Sequence, residues 1–198
     1  IRDQCCLVGS EMCIRDRVTN VAAACGGLAW LLIEWFTTSS KPTLIGSASG
    51  VVSGLVGITP AAGYVDVSGA LVIGLGSGLV GYFGVVKLKK WLGYDDTLDV
   101  FGIHGLVGAF GAIATGIFAN PMVNEGNAGL LYGNPGQVWI QIQSVLYVSL
   151  YSAVATFIIY KVISFIFGTG RVSEEIEKDG MDMAYHGERG FDLSLIHI

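Results

Sequence analysis

The stretch DDTLDVFGIHG, residues 95–105, brings carboxylates and an imidazole close together. His104 follows Asp99 by five residues, which is about 7–8 Å along a helix axis. A neutral imidazole offers one hydrogen-bond donor and one acceptor, so it can pass on a small polar solute or relay a proton. The alternative is a histidine that bonds a neighbouring carbonyl and serves packing alone.

The aspartates of this stretch suit the start of a helix. Asp96 and Asp99 are three residues apart, as an N-cap and its N3 partner are, and carboxylates favour the positive end of the helix dipole. We predict that Asp95 and Asp96 are structural helix caps. Asp99 then lies at the mouth of the helix that carries His104.

The composition predicts that this helix lies in a membrane. The chain is 52% hydrophobic and 14% charged with 29 glycines, whereas soluble proteins average about 25% charged residues and about 7% glycine. Spanning takes about 20 apolar residues. Five segments qualify: 18–36, 43–62, 67–88, 98–119 and 138–168. We predict an all-α, polytopic transmembrane helix bundle, with close packing at glycines that recur every three or four residues.

The two ends of the chain differ from the predicted transmembrane domain, residues 18–168. CLVGSEMCIRDR and the final LSLIHI resemble translated sequencing-adapter read-through. We therefore expect residues 1–17 and 194–198 to be non-native, and the chain to be a piece of a longer protein. Residues 169–193 predict an acidic tail, in which Ser173 caps a short helix that ends at Gly180.

Loop charges predict the orientation. The positions that carry Lys or Arg in the loops and at the end of the fifth segment all fall on one side: Lys41, Lys87, Lys89, Lys90, Lys161 and Arg171. The positive-inside rule makes this side, and the C-terminus, cytoplasmic. A basic nucleic-acid footprint is absent, and so are nucleotide-binding and H-E-x-x-H motifs. A membrane anchor of a redox enzyme is a weaker alternative, because a transmembrane haem would need a second histidine within a span.

Three stretches carry a family resemblance: KPTLIGSASGVVSGLVGITPAAGYV, DDTLDVFGIHG and RVSEEIEKDGMDMAYHGE, in this order and at this spacing. Over about residues 20–193 the chain resembles the C-terminal half of the ammonium transporter (Amt/Rh/methylammonium permease) family. The resemblance implies an eleven-helix fold with a narrow hydrophobic pore, of which the five segments are helices seven to eleven. It also implies a homotrimer in the cell's inner or plasma membrane, which transports ammonium or ammonia, is not an enzyme and has no cofactor or metal. An ammonium-sensing receptor of the same fold is the alternative.

The resemblance also implies functional residues. His104 would be one of two histidines stacked across the pore, Val100 would line the cytoplasmic exit, and Asp99 would lie near that mouth. Thr59 of the ITP turn would lie near the pore at a broken helix. The tail would be regulatory and pack on a neighbouring subunit, on a face that PII-type signalling proteins bind in many members. Its candidate residues are Gly180, Asp182, His186, Gly187 and Glu188. Here the family's HGE-x-AY pattern departs, with Gly190 in place of alanine.

Overall fold

The chain folds into helices joined by loops. The computed structural model describes residues 10–37, 41–168 and 170–187, and the side chains of residues 10–12, 178 and 179 lie outside that description. No strand occurs among the described residues. The helices are α1 (Ser10–Thr37), α2 (Leu44–Ile58), α3 (Val67–Leu92), α4 (Phe101–Phe118), α5 (Gly136–Phe167) and the short α6 (Glu174–Asp179). The chain divides into a first unit, Ile1–Val148, and a second unit, Ser149–Ile198, and each is described by itself.

α1 begins eight residues before the start predicted for the first segment, residue 18. It therefore includes part of the stretch that we expect to be non-native, residues 1–17. Residues 1–9 and 194–198 lie outside the described residues. The non-native origin of both ends stays a prediction.

α2 is shorter than the helices that could span a membrane. Within the described residues, four helices are long and apolar enough to cross a membrane: α1 over Cys13–Thr37, α3, α4 and α5. α2 has 15 residues, or about 22 Å. It ends early because Pro60 has no N–H for the Val56 carbonyl, which instead accepts the Thr59 N–H at 3.2 Å. The predicted all-α membrane bundle is confirmed, although the predicted segment 43–62 runs four residues past the end of α2.

Glycines let α1, α2 and α3 approach backbone to backbone. A methyl group on Gly26 would lie 2.5 Å from the Gly50 carbonyl oxygen and 2.8 Å from the Gly54 Cα. A methyl group on Gly78 of α3 would lie 2.5 Å from the Gly26 carbonyl oxygen. Such close approach provides attraction between helices in lipid, where the hydrophobic effect is weak. The buried apolar cluster of the first unit comprises Val18, Ala22, Ile58, Ala61, Val65, Ala70, Ile73 and Ala114.

Carboxylates tie the starts of two helices. Glu34 of α1 accepts the backbone N–H of Thr43, the residue that precedes α2, at 2.8 Å. Asp66 caps α3, since its Oδ1 accepts the Ser68 hydroxyl at 2.6 Å and the Gly69 N–H at 2.9 Å. These two hydrogen bonds favour the ionised carboxylate and lower the pKa of Asp66 below its ordinary value.

Candidate functional site

Asp96 fastens the backbone at the start of α4. One carboxylate oxygen accepts the Val100 N–H and the other accepts the Phe101 N–H, each at 2.9 Å. These are two of the amides that a helix start leaves without a partner in the helix itself. The Asp95 carboxylate instead accepts the hydroxyl of Thr97 at 3.3 Å. Of the two adjacent aspartates, Asp96 is therefore the one that holds the helix start.

Asp99 has an uncommon backbone conformation. Its φ of 55° is the only positive φ at a non-glycine position in the part of the chain that the structure describes. Aspartate tolerates this left-handed region better than most residues, but at some cost. The Asp99 carboxylate accepts a hydrogen bond from Lys89 Nζ at 2.8 Å, and the same Nζ lies 2.5 Å from the Asp96 carbonyl oxygen.

Sequence reasoning missed Lys89, which comes from the last turn of α3. Its partner Asp99 lies ten residues further along the chain, beyond Gly93, which ends α3 with a left-handed φ of 64°. A basic residue at a helix end, a glycine and an acidic residue before the next helix together indicate such a bridge. Both side chains are about 70% covered, with exposed fractions of 30% and 27%.

α4 opens with a π-helical stretch, Phe101–Leu106, that contains His104. In a regular α-helix, His104 and Gly111, seven residues apart, would share a face. A π turn bonds residue i to i+5 and rotates less per residue, so a face counted at 3.6 residues per turn shifts across this stretch. Gly111 is buried, whereas His104 is exposed in this chain. π-Bulges occur frequently at functional sites.

The glycines of α4 divide between two faces. Methyl groups on Gly102 and Gly111 would meet the backbones of Gly84 and Gly57 respectively, so this side packs against α3 and α2. The three atoms nearest to a methyl group on Gly105 all belong to the ring of Phe101, in its own helix. Val100, His104 and Gly105 are all exposed. We call these three residues the open face of α4.

Thr59 lies far from the open face. Its hydroxyl donates to the Leu55 carbonyl at 2.7 Å, in the last turn of α2. Gly57, two residues earlier, packs against Gly111, which is seven residues or about 10 Å beyond His104 along α4. The structure therefore brings together Asp96, Asp99 and the open face, but not Thr59.

The tail candidates belong to the second unit. α6 is followed by Gly180, whose φ is 97°. Asp182 and His186 begin and end a short π-helical turn, and Gly187 follows with a φ of 67°. Glu188 lies outside the described residues. Among the described residues, no group of three or more His, Cys, Asp or Glu side chains could hold a metal ion.

The fold and these sites define an integral membrane protein built from apolar helices. The family model described as the Ammonium Transporter Family matches residues 13–191, and the chain belongs to this family. It is 49% identical over 175 residues to an ammonium transporter of Aquifex aeolicus (strain VF5), a match that covers 88% of this chain and 40% of the relative. The predicted family is thus confirmed, and the relative is named as a transporter and not as an enzyme.

Solved structures agree on the fold. The crystal structure of Saccharomyces cerevisiae Mep2 matches with a TM-score of 0.78 and 37% identity, over 83% of this chain and 38% of that chain. A sensor Amt protein matches with a TM-score of 0.78 at 24% identity, over 90% of this chain and 43% of that chain, and this likeness extends to the fold alone. The chain spans about two fifths of the length of the relatives that it matches.

Proposed function

We propose that the whole protein carries ammonium, as ammonia or as the cation, across a membrane through a pore lined by the open face of α4. The observation that carries the proposal is that the described helices leave this face uncovered, although it holds small and apolar residues and one imidazole. An ionisable side chain that faces lipid is unfavourable, so such residues usually face the bundle interior or a polar path. The missing three fifths of the relatives' length would supply the helices that cover it.

The imidazole of His104 suits this substrate. Ammonium is small and strongly hydrated, and transfer of the bare cation into an apolar pore would cost many kcal/mol. A neutral ring accepts a hydrogen bond from ammonia or ammonium through one nitrogen and donates through the other. It can therefore guide ammonia and return the proton without placing a permanent charge in the pore.

The other candidate residues fit the two ends of such a path. Asp99 lies beside the mouth with its carboxylate paired to Lys89, so an entering or leaving cation meets a largely compensated charge. Val100 precedes His104 by four residues and narrows the exit with an apolar side chain. Thr59, about 10 Å or more from His104, belongs to the opposite end of the path.

Orientation, assembly and regulation follow from the same proposal. The end of the bundle that holds Lys89 is cytoplasmic, because the loop lysines lie there. The protein lies in the cell membrane, and its tail is on the cytoplasmic side. There Gly180, Asp182, His186 and Gly187, with Glu188, form a regulatory segment that packs on the next subunit of a homotrimer. A PII-type signalling protein is the partner that would bind this face.

Replacement of His104 tests the proposal. In liposomes that contain the full-length protein, His104→Leu should lower the current evoked by an ammonium pulse about tenfold or more, because the ring no longer transfers protons. The matched control is His186→Gln in the tail, which should keep the wild-type ratio of current to ammonium uptake. An unchanged current in His104→Leu would refute the relay role.

The receptor alternative shares the membrane fold, and the fold-level likeness to the sensor Amt protein does not favour it over transport. Uptake of ammonium by the wild-type protein in the same liposomes separates the two functions. A protein that binds ammonium without any uptake would favour the receptor.

A further inference from the structure

We propose that Lys89 is a positioning residue of the proposed pore. It would hold Asp99 in the left-handed backbone conformation and thereby set how α4 presents Val100 and His104. Lys89 lies outside the open face and acts through Asp99. The expected effect of Lys89 on ammonium uptake rests on the proposed function, whereas its expected effect on the geometry of α4 does not.

The side-chain amino group of Lys89 holds two aspartates at the start of α4. Lys89 Nζ donates to the Asp99 carboxylate at 2.8 Å and to the Asp96 carbonyl at 2.5 Å. The Asp96 side chain, in turn, holds the Val100 and Phe101 amides. Lys89 therefore ties α3 to both aspartates that shape the first turn of α4.

The backbone of Asp99 is the element that Lys89 would control. At φ 55° a non-glycine residue is less stable than in the right-handed or extended regions. Among the described contacts, the Asp99 carboxylate has Lys89 as its side-chain partner. Without that bridge, only the two backbone hydrogen bonds of the residue, at 3.1 and 2.9 Å, would oppose relaxation toward negative φ. Because Val100 follows directly and His104 lies in the next turn, a rotation at Asp99 would turn the open face.

The bridge is too exposed to contribute much to the stability of the whole bundle. Partly exposed ion pairs contribute about 0–1 kcal/mol to global folding. An energy of about 1 kcal/mol still changes the ratio between two local conformers of Asp99 about fivefold. The expected signature of Lys89 is therefore an altered mouth with a melting temperature that falls by no more than a few degrees. A residue that served packing alone would lower the melting temperature and leave the mouth unaltered.

A cysteine at the open face reports the geometry. In the full-length protein with its native cysteines replaced by serine and Val100→Cys added, we would measure the rate of labelling by a water-soluble thiol reagent, beside ammonium uptake by the same protein without Val100→Cys. Lys89→Met should change the labelling rate and lower uptake, each by up to about fivefold. Lys89→Arg should preserve both, because the guanidinium can still reach the carboxylate. Lys90→Met is the matched control, since it removes the same charge from the adjacent exposed position.

Glycine and alanine at position 99 separate positioning from charge, because both remove the carboxylate and only alanine keeps the cost of positive φ. Positioning predicts that Asp99→Gly keeps the wild-type labelling rate and that Asp99→Ala changes it. Glycine adopts positive φ without penalty, so in an Asp99→Gly background Lys89→Met should have little further effect. The same loss in both backgrounds would show that Lys89 acts by its own charge and would overturn the inference, as would an effect of Lys90→Met equal to that of Lys89→Met. If the wild-type protein takes up no ammonium, the proposed function fails, while the labelling rates still decide the role of Lys89.

Discussion

The crossing of α1 and α2 gives the most direct prediction about stability, because glycine backbones are in contact there. Gly26→Ala would place a methyl group 2.5 Å from the Gly50 carbonyl oxygen and 2.8 Å from the Gly54 nitrogen and Cα. All these atoms belong to the backbone, so no side-chain rotation relieves the overlap. The two helices must move apart.

The size of the effect follows from that movement. Restoring ordinary contact, at about 3.5 Å, requires a separation of about 1 Å, which forfeits a quarter to a half of the dispersion energy of each pair across the gap. Overpacking of this kind costs about 1–3 kcal/mol, and the better helix propensity of alanine offsets about 0.5–1 kcal/mol. Gly26→Ala should therefore destabilise the bundle by about 1–2 kcal/mol.

Thermal unfolding in detergent, followed with a thiol-reactive dye on a protein that keeps Cys25 as its only cysteine, measures this effect because Cys25 is only partly exposed and reacts as α1 separates. The melting temperature should fall by about 2–8 °C. Gly108→Ala in α4 is the control: within 4 Å, among the described residues, its methyl group would meet only the Val56 Cγ1, at 3.9 Å, which is ordinary van der Waals contact. Equal melting temperatures for both variants would refute the backbone-contact reasoning.

Two further predictions concern the helix starts. Asp96→Ala should lower the stability by about 1–2 kcal/mol, because two backbone amides lose their acceptor, whereas Asp95→Ala should leave the melting temperature nearly unchanged; a larger loss from Asp95→Ala would contradict the assignment of the cap. Asp66 has a lowered pKa, so its contribution to stability is complete above the ordinary value of 3.8 and is lost as the pH falls through the lower pKa of the folded state. Melting temperatures of Asp66→Asn should therefore decline less than those of the wild type below about pH 4, and parallel profiles would argue against this linkage.

The sequence predicts much of the fold, because apolar length and glycine spacing follow directly from the bilayer. It predicts the helices as elements but misses the early end of α2, although Pro60 is visible in the sequence. The bridge between Lys89 and Asp99 is harder to foresee, because it spans a loop whose path depends on Gly93. The positive φ of Asp99 has no sequence signal of its own, since aspartate is equally suited to an ordinary N-cap.

The π-helical stretch explains why glycine spacing alone could not define the faces of α4. Counting at 3.6 residues per turn puts His104 and Gly111 on one side of the helix, about 10 Å apart along its axis. In the structure Gly111 packs against Gly57 while His104 remains exposed. A π turn holds more residues than an α turn, so spacing at 3.6 residues per turn does not define a face across it. The Lys89 bridge acts at the start of this same turn, so we infer that the bridge and the π-helical stretch together determine where the imidazole points.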